Sequence, residues 1–534
     1  MAAEHPDSHS ELSLIREELA AAEREIERKD QIIDALQRRL FGSKSERIDP
    51  DQFQLEFGEE ILGKPEALPP IPCGGEGAPE EEDARTGKRN EKRRSKNDLL
   101  PRNLPVIVEE VAVPAEVEDD PGAYEEIGEE HHDELEAVKA SLYWRRRTRK
   151  KYKRKDDRAA PPVMAAAPEP GVPGTKASAE LMAMILADKY VDHLPHYRQS
   201  DRFLRRFGAQ LSRQTINRWT HAAAEFLSPV GEAVKAELRE AEILQIDESP
   251  GDYLAPGTGT TGQGYLWYYR DAVAGTLYCD WQLGRGHGKM FGVLGYDGAE
   301  GSVPFAGTIQ CDGYSAYRAL EARREGIRLG ACLAHIRRKF YEAREQAPQV
   351  VMPILKLIGE IYRVEHWLRK SAPPPGCREL ARLGHSKKLV EKLKEKILTE
   401  RENHFPRSKL GEAVGYALGQ WDEFELYLAD GRMEIDNNLI ENAVRPAKLG
   451  LKNYLFFGNA EAGKTSALFY TLVGNCAVHG IDPERYLAVV LDRMTQATTA
   501  EQAAELTPAK LAAEIRESQP VPAWVEERRG KSAA

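Results

Sequence analysis

The N-terminal part of the chain carries a heptad pattern of hydrophobic positions. Between Leu12 and Leu40 there is no Gly or Pro, and apolar residues recur at alternating steps of three and four. These positions are Leu12, Ile15, Leu19, Ala22, Ile26, Ile33, Leu36 and Leu40, with Lys29 at the one polar position. Residues 1–45 are therefore predicted to form a helix for self-association, and the alternative is a helix packed on its own protein.

The following segment, residues 46–174, shows little periodicity and is rich in Pro, Gly and charge. This composition is typical of linkers around a small module, in which VIVEEVAVPAEVED is expected to contribute strands. A basic run, RRRTRKKYKRK, occupies residues 145–155. It would bind phosphates, or it would form a solvated charged strand or tail.

Helical periodicity returns at residues 175–235, where the pattern predicts a helix, a loop, a helix, a turn and a helix. Gly208 marks the turn and Ser212 is a suitable N-cap for the last helix. Helical pairs of this shape also occur in proteins that never bind DNA. As a helix-turn-helix, this region would expose four DNA-binding candidates, which are Arg213, Gln214, Asn217 and Arg218.

From residue 240 the pattern alternates between strands and helices. EILQID, GYLWYYRD and GTLYCDWQL predict a three-stranded meander, and GTIQCD and IRLGACL predict two further strands separated by a helix. This order predicts an α/β, RNase H-like catalytic domain at residues 240–470, with a mixed five-stranded sheet in which the first and fourth strands are neighbours. Long amphipathic stretches at about residues 348–430 predict an all-helical insertion, and residues 471–534 a helical C-terminal region.

Composition narrows the class of protein only slightly. The 534 residues include 75 basic and 86 acidic side chains, a net charge of −11 that argues weakly against a nucleic-acid partner. Local patches, however, decide DNA affinity. The six cysteines form no CxxC pair, so neither a disulfide framework nor a zinc site is expected. The chain has no signal-like core and no apolar run long enough to span a bilayer, so a cytoplasmic, nucleoid-associated protein without a membrane partner is expected.

Three acidic residues define the predicted catalytic site. Asp247 and Asp312 each end a short apolar run that predicts a buried strand, and Glu441 lies in the helical segment DNNLIENAVRP. Carboxylates at the ends of neighbouring strands repel each other unless cations separate them, and two divalent metals are a common solution. The three residues are therefore expected to hold two Mg²⁺ or Mn²⁺ ions and to cut or join nucleic acid. Asp436 is the alternative third ligand.

Cationic side chains flank these acids. Glu441 and Arg445 are four residues apart on one helical face, so Arg445 would contact a phosphate, unless the two form an ordinary surface ion pair. His335 and Arg337 follow the fifth predicted strand and are expected to contact a phosphate or the leaving group.

A further motif, GNAEAGKT at residues 458–465, matches the nucleotide-binding pattern GxxxxGK[ST]. A working site of this kind needs a surrounding parallel sheet and a second strand that ends in a metal-binding acid. The segments after the motif are helical in pattern. The match is therefore interpreted as coincidental, and no nucleotide site is expected.

Together these segments resemble the transposase of the insertion sequence 66 family, a bacterial DDE transposase. The matching phrases, in order from about residue 175 to 490, are KYVDHLPHYRQ, LSRQTINRW, QIDES, GYLWYYRD, QCDGYSAY, CLAHIRRKF, the DNN-to-RP stretch and LGLKNYLFFGN. The resemblance implies Asp247, Asp312 and Glu441 as the metal-binding triad, and an RNase H-like fold with a helical insertion. It also implies cleavage at element ends, followed by attack of the freed 3′-hydroxyl on target DNA.

One departure from that family concerns zinc. The family carries a cysteine-rich zinc module before the helix-turn-helix, whereas KYKRKDD stands here where a CxxC would be expected. Zinc binding is therefore not implied, and residues 46–174 are interpreted as a degenerate zinc-finger-like module.

The primary hypothesis is thus a Mg²⁺-dependent DNA transposase. Its expected partners are double-stranded DNA (terminal inverted repeats and target), a second copy of the chain, and accessory proteins of the element. Three alternatives stay open: a catalytically silent DNA-binding protein, a structure-specific nuclease of the same fold, and a nucleotide-driven ATPase.

Overall fold

The computed structural model describes residues 141–152, 163–164 and 171–517, except residues 256, 258, 297 and 299–302. The heptad helix predicted at residues 1–45 and most of the predicted linker module lie outside the described residues. Two short strands, β1 (Lys151–Tyr152) and β2 (Val163–Met164), pair antiparallel. Both residues of β1 belong to the basic run and are exposed.

Ahead of the main sheet, the described chain forms three helices: α1 (Ala179–Tyr190), α2 (His196–Phe207) and α3 (Arg213–Arg239). The order of helices and turns is the one that the periodicity predicts. Gly208 ends α2 with a φ of 64°, in the left-handed region that favours glycine. Ser212 caps α3 because its side chain accepts a hydrogen bond from the Thr215 N–H.

The main sheet has five strands: β3 (Ile243–Leu254), β4 (Thr261–Asp271), β5 (Leu277–Gln282), β6 (Gly307–Cys311) and β7 (Ile327–Ala331). Their order is β5-β4-β3-β6-β7, with antiparallel pairing from β3 to β5 and parallel pairing from β3 to β7. The predicted mixed five-stranded sheet is confirmed, and its first and fourth strands are neighbours. Two short helices, α4 (Phe291–Leu294) and α5 (Ser315–Glu321), accompany β6.

The central strand β3 is covered on both faces. Leu244 and Ile246 belong to a hydrophobic cluster with residues of β6, β7, α4 and α5. Gln245 on the opposite face bonds to the chain that leads into a later helix. Side chains of a strand alternate between faces, so odd-numbered residues of β3, including Asp247, point to that second face.

Residues 348–430 contain helices only. The described helices from β7 onward are α6 (Leu333–Ala343), α7 (Pro348–Ser371), α8 (Pro375–Ala381), α9 (Lys387–Asn403), α10 (Lys409–Leu418) and α11 (Trp421–Ala429), with a π turn at Arg382–Ser386. They pack around a hydrophobic cluster that includes Ile354, Ile358 and Leu393. The two long amphipathic stretches therefore lie in α7 and α9, and their status as an insertion stays a prediction.

Helices also complete the C-terminal side of the described chain: α12 (Asn438–Tyr454), α13 (Ala460–Val478), α14 (Pro483–Arg493), α15 (Ala500–Ala504) and α16 (Pro508–Glu517). None of the helices in the described ranges combines the length and apolarity that a membrane span requires.

Four described cysteines, Cys279, Cys311, Cys332 and Cys476, are free and buried, as their apolar surroundings predict.

Candidate functional site

Asp247 lies in the middle of β3 and not at the end of a strand, which corrects the sequence prediction. The reason is that antiparallel pairing with β4 continues from Leu244 to Leu254. Parallel pairing with β6, in contrast, ends at Gln245 and Gln310. Asp247 therefore lies just beyond the point where β6 leaves the sheet.

Asp312 directly follows β6, as predicted. If the register of Gln245 with Gln310 is continued by two residues, Asp312 comes opposite Asp247. Asp312 itself lies one residue beyond β6, and its charge acts on Glu248. Oδ1 of Asp312 accepts a hydrogen bond from the Tyr314 N–H at 3.1 Å, which fixes the turn into α5.

Glu441 lies in the first turn of α12. Its side chain is 40% exposed, and its Oε1 is 3.8 Å from Nε2 of His335 at the start of α6. Ile440, Val444 and Ala447 form the fully buried packing face of α12. The packed face thus holds Glu441 at the rim of the site, with His335 beside it.

Buried carboxamides fix the start of α12 against the sheet. Nε2 of Gln245 donates to Oε1 of Gln310 at 2.9 Å and to the carbonyl oxygen of Asp436 at 3.0 Å. Nε2 of Gln310 donates to the carbonyl oxygen of Glu434 at 2.7 Å, and Nδ2 of Asn437 donates to that of Gln310 at 3.2 Å. The two strands that present the aspartates therefore also position the helix that presents the glutamate.

The acids interact with one another. Burial, followed by the carboxylates of Glu248 and Glu441, raises the pKa of Asp247 to about 7, and Lys448 acts in the opposite direction. The charge of Asp312 in turn contributes to the raised pKa of Glu248. Four carboxylates are thus coupled in the order Glu441, Asp247, Glu248, Asp312, and we call them the acidic row. Bound cations would relieve this repulsion.

Glu248 is a site residue that the sequence reasoning missed. Its side chain is 3% exposed. Arg285 Nε donates to its Oε1 at 2.5 Å, and the Tyr317 hydroxyl donates to its Oε2 at 3.0 Å. Burial raises the pKa of Glu248, Arg285 opposes the rise, and Asp312 adds to it. The position of Glu248 next to Asp247 in the sequence could have indicated its role. Its partners Arg285 and Tyr317 lie far along the chain, so the local pattern contained no sign of them.

The carboxylates of the acidic row do not converge on a single point in the part of the chain that the structure describes. Within the described residues, no three His, Cys, Asp or Glu side chains lie close enough together to hold a metal ion. The donor chemistry nevertheless fits Mg²⁺, because Mg²⁺ prefers oxygen ligands, retains several waters and takes only one or two protein carboxylates. Burial raises the pKa of Asp247 most, and the repulsion from Glu248 and Glu441 that adds to this rise is of the kind that a divalent ion would offset.

The cationic side chains predicted to contact phosphate differ in their surroundings. His335 contacts Glu441, and the charge of half-buried Arg337 acts on Tyr362. Arg445 is exposed on α12 and forms no ion pair within the described residues. Lys448 was missed: it lies two turns after Glu441 on α12, and its charge acts on Asp247. The spacing of seven residues from Glu441 was the signal that would have identified it.

Asp436, the alternative to Glu441 as third metal ligand, forms hydrogen bonds and an ionic contact with other residues. It is fully buried and accepts hydrogen bonds from the backbone N–H and Nδ2 of Asn438 at 3.2 and 3.0 Å. Its Oδ1 lies 3.6 Å from Nη2 of Arg369. Burial raises the pKa of Asp436 and Arg369 opposes this rise. These contacts indicate a structural role at the start of α12.

The face predicted to bind DNA is turned to solvent. Ile216 and Trp219 are buried under α3. The four candidates on its first two turns are all exposed: Arg213, Gln214, Asn217 and Arg218.

Residues 458–465, which match the nucleotide-binding pattern, form the start of α13. Asn459 is the N-cap of this helix, and Lys464 lies in an exposed ion pair one turn along it. A Cβ at Gly463 would lie 2.2 Å from the ring of Trp281, so close packing requires glycine there. Packing therefore accounts for this glycine without a nucleotide.

The fold and the site together define a mixed α/β protein that carries the acidic row along its central sheet. The family model described as "Transposase IS66 family" matches residues 174–465. Two further models, described as "Transposase C of IS166 homeodomain" and "IS66 C-terminal element", match residues 28–108 and 471–509. The chain belongs to the IS66 family of transposases, which confirms the resemblance.

Two relatives come from Sinorhizobium fredii (strain NBRC 101917 / NGR234). Uncharacterized protein y4jD is 30% identical over 489 residues, which cover 87% of this chain and 90% of the relative. Uncharacterized protein y4qI is 32% identical over 398 residues, which cover 72% of this chain and 71% of the relative.

Proposed function

We propose that this chain is a metal-dependent DNA transposase in which Asp247, Asp312 and Glu441 are the catalytic residues. The observation that carries the proposal is the register of β3 and β6, which, continued by two residues, would bring Asp312 opposite Asp247. The coupling of Glu441 to Asp247 supports the third position. We interpret the sheet as RNase H-like and residues 348–430 as its helical insertion.

In this proposal the three carboxylates hold divalent metal, Mg²⁺ or Mn²⁺, at the acidic row. When bound, two such ions would supply charge stabilisation for phosphoryl transfer and an activated hydroxyl. The chain's own residues position the DNA. His335 orients Glu441, and Lys448 and Arg445 on the same helix contact the phosphates beside the scissile bond.

The DNA partners in this proposal are terminal inverted repeats and target DNA. The exposed face of α3, with Arg213 and Asn217, binds the repeats. Self-association through residues 1–45 and accessory proteins of the element complete the proposed assembly.

The substitution Asp247→Asn tests the catalytic assignment. It should lower Mg²⁺-dependent cleavage of terminal-repeat DNA by at least about 1,000-fold, because the metal contribution amounts to several kcal/mol. DNA binding in a mobility-shift assay should be retained. Asp252→Asn is the matched control, since Asp252 is an exposed acid on the same strand. Cleavage by Asp247→Asn near the wild-type rate would remove this residue from the mechanism.

The open arrangement of the acidic row favours a second candidate, a catalytically silent DNA-binding protein. This second function would be established if the wild-type protein binds repeat DNA in a mobility-shift assay but does not nick it with either Mg²⁺ or Mn²⁺ present.

A further inference from the structure

A groove with a volume of about 260 Å³ lies apart from the acidic row. Its lining comes from α1, α2 and α3, from the end of α12 and the turn that follows it, and from the start of α13. Its aromatic lining consists of Tyr190, Tyr197, Tyr454, Phe456 and Phe457. Pockets for drug-sized ligands usually measure about 300–1,000 Å³, so this groove suits a smaller ligand.

Lys189 supplies an uncompensated positive charge to this groove. Its Nζ lies 5.1 Å from the ring centroid of Tyr454 and 5.7 Å from that of Tyr190. Burial lowers the pKa of Lys189 to about 8. Within the described residues no carboxylate forms an ion pair with it. Glu461, the acid whose charge acts on this cluster, is itself paired with Lys464 at 3.0 Å. An anionic ligand would therefore be stabilised at Lys189.

Two histidines beside Lys189 provide neutral polar groups. Burial, then Lys189 and His221, lowers the pKa of His196 to about 2, and burial and Lys189 also lower the pKa of His221. Both rings are therefore neutral at pH 7. His196 Nε2 lies 3.2 Å from the Thr220 hydroxyl, and His221 Nδ1 lies 2.7 Å from the Thr465 hydroxyl. The groove thus combines one cation with neutral hydrogen-bonding rings.

The aromatic side of the groove is presented by a strained turn. Leu455 has a φ of 66° and a ψ of −44°, and the Phe456 N–H donates to the Tyr454 carbonyl at 2.8 Å. This is a γ-turn with positive φ, which is rare and strained for a residue other than glycine. The turn leaves Phe456 37% exposed, while Tyr197, also in the groove lining, is 47% exposed with Arg198 5.5 Å from its ring centroid. Exposed ring faces of this kind stack on unpaired bases.

We propose that this groove binds one unstacked nucleotide of DNA, with its base between Phe456 and Tyr197 and its phosphate at Lys189. Arg213 and Asn217 line the same groove and also belong to the exposed face of α3, so the groove opens toward that face. Only the source of the nucleotide, DNA, rests on the proposed transposase function. The chemistry of a base with a phosphate follows from the groove itself.

The position of the groove is compatible with DNA that also reaches the acidic row. Glu441 and Tyr454 lie near opposite ends of α12. At about 1.5 Å per residue they are roughly 20 Å apart along the helix. A DNA strand covers this distance in about six nucleotides.

The charge is tested with Lys189→Met, which keeps the length of the side chain. Binding of a fluorescein-labelled single-stranded DNA of about 12 nucleotides is measured by anisotropy, with EDTA present so that metal at the acidic row does not contribute. We expect binding about tenfold weaker than that of the wild type. Lys464→Met removes an exposed lysine outside the groove lining and should not change the affinity. Equal affinities of Lys189→Met and the wild type would overturn the proposal.

Base stacking is tested with Phe456→Ala and a series of DNAs in which one abasic position is moved along the strand. For the wild type, one position should weaken binding by about 5- to 100-fold when its base is missing. Phe456→Ala should bind intact DNA as weakly as the wild type binds that abasic DNA, and it should show no position dependence. A wild type that is indifferent to every abasic position would contradict a base in the groove.

The source of the nucleotide is tested by competition with dAMP and with ATP. If free nucleotide displaces the labelled DNA from the wild type at a lower concentration than unlabelled DNA does, and raises the Tm of the wild type but not that of Lys189→Met, the groove belongs to a free nucleotide and the DNA assignment is wrong. Weaker displacement by free nucleotide than by unlabelled DNA, or none, supports DNA. Because these measurements use no metal, they stand independently of whether the protein cleaves DNA.

Discussion

At the scale of single residues, neighbours in the sequence have opposite surroundings. Asp247 faces α12, and its anionic form is destabilised first by burial and then by Glu248 and Glu441. Glu248, one residue later, points to the other face of β3, where Arg285 and Tyr317 hydrogen-bond to it. The pleat of the strand separates them, so one short motif, QIDES, supplies acids to two environments.

A pH-dependent stability is expected from Lys189. Its pKa falls from 10.5 to about 8 in the folded chain, so folding is disfavoured while the group is charged. Lys189→Met should therefore raise the free energy of unfolding by about 1–3 kcal/mol at pH 7. The gain should shrink as the pH rises through 8 and vanish near 10.5. Urea unfolding across this range measures it, and a gain that is constant with pH would contradict the assignment.

Gly463 is expected to be indispensable for packing. An alanine Cβ would lie 2.2 Å from the Trp281 ring, so Gly463→Ala should lower the free energy of unfolding by about 1–3 kcal/mol. Gly458→Ala, in the same motif, meets no atom within 4 Å and should be nearly neutral. Thermal unfolding of the two variants compares them directly. Equal Tm values for both would show that contact with Trp281 does not select glycine.

At the scale of elements, buried polar networks join helices to the sheet. Gln245 and Gln310 connect β3 and β6 to the start of α12. A second network is centred on Arg382, which is fully buried in the π turn. It donates to both carboxylate oxygens of Glu365 on α7 and to the carbonyl oxygens of Tyr427, Asp430 and Met433. The chain entering α12 is therefore fixed from both the sheet and the helical layer.

Removal of Arg382 should be strongly destabilising. Among the described residues, Arg382→Met leaves buried Glu365 with Arg378 as its remaining ion-pair partner, and we expect a loss of about 3–5 kcal/mol. The double variant with Glu365→Gln removes the unpaired charge and should recover a large part of this loss. Chemical denaturation of the wild type, both single variants and the double variant gives the coupling energy. Additive losses would show that Glu365 and Arg382 do not act as a pair.

At the scale of the whole molecule, one hydrophobic cluster crosses the regions that the sequence divides. Met182 of α1, Ile216 of α3, Trp281 of β5, Phe469 of α13 and Leu487 of α14 all belong to it. The helices that carry the proposed DNA-binding face therefore pack on the sheet and on the C-terminal helices. This shared core gives the face and the acidic row a fixed relation.

A fragment of residues 171–240 is accordingly expected not to fold cooperatively. Its three helices would expose the apolar faces that α13 and α14 cover in the longer chain. The fragment should retain some helical circular dichroism but melt gradually, whereas residues 171–517 should show a sharp transition. A sharp melting transition in the short fragment would show that α1–α3 form an independent domain.

The sequence predicted the local elements well, because each depends on neighbouring residues. The caps at Gly208 and Ser212, the helices within residues 348–430 and the strand ending before Asp312 all follow from local spacing. The length of β3 did not follow, since its second half is defined by pairing with β4. Glu248 and Lys448 were missed because their roles depend on side chains brought near by folding.

By itself, the sequence determined the periodicity of helices and strands, the order that produces a mixed sheet, and the acids that resemble a transposase triad. Those features reside in local patterns and in a short list of motifs. Only the tertiary structure decided that Asp436 lies beside Arg369, that the GKT segment is the packed start of a helix, and that Lys189 lies in an aromatic groove. Each of these depends on contacts between residues far apart along the chain, which periodicity does not encode.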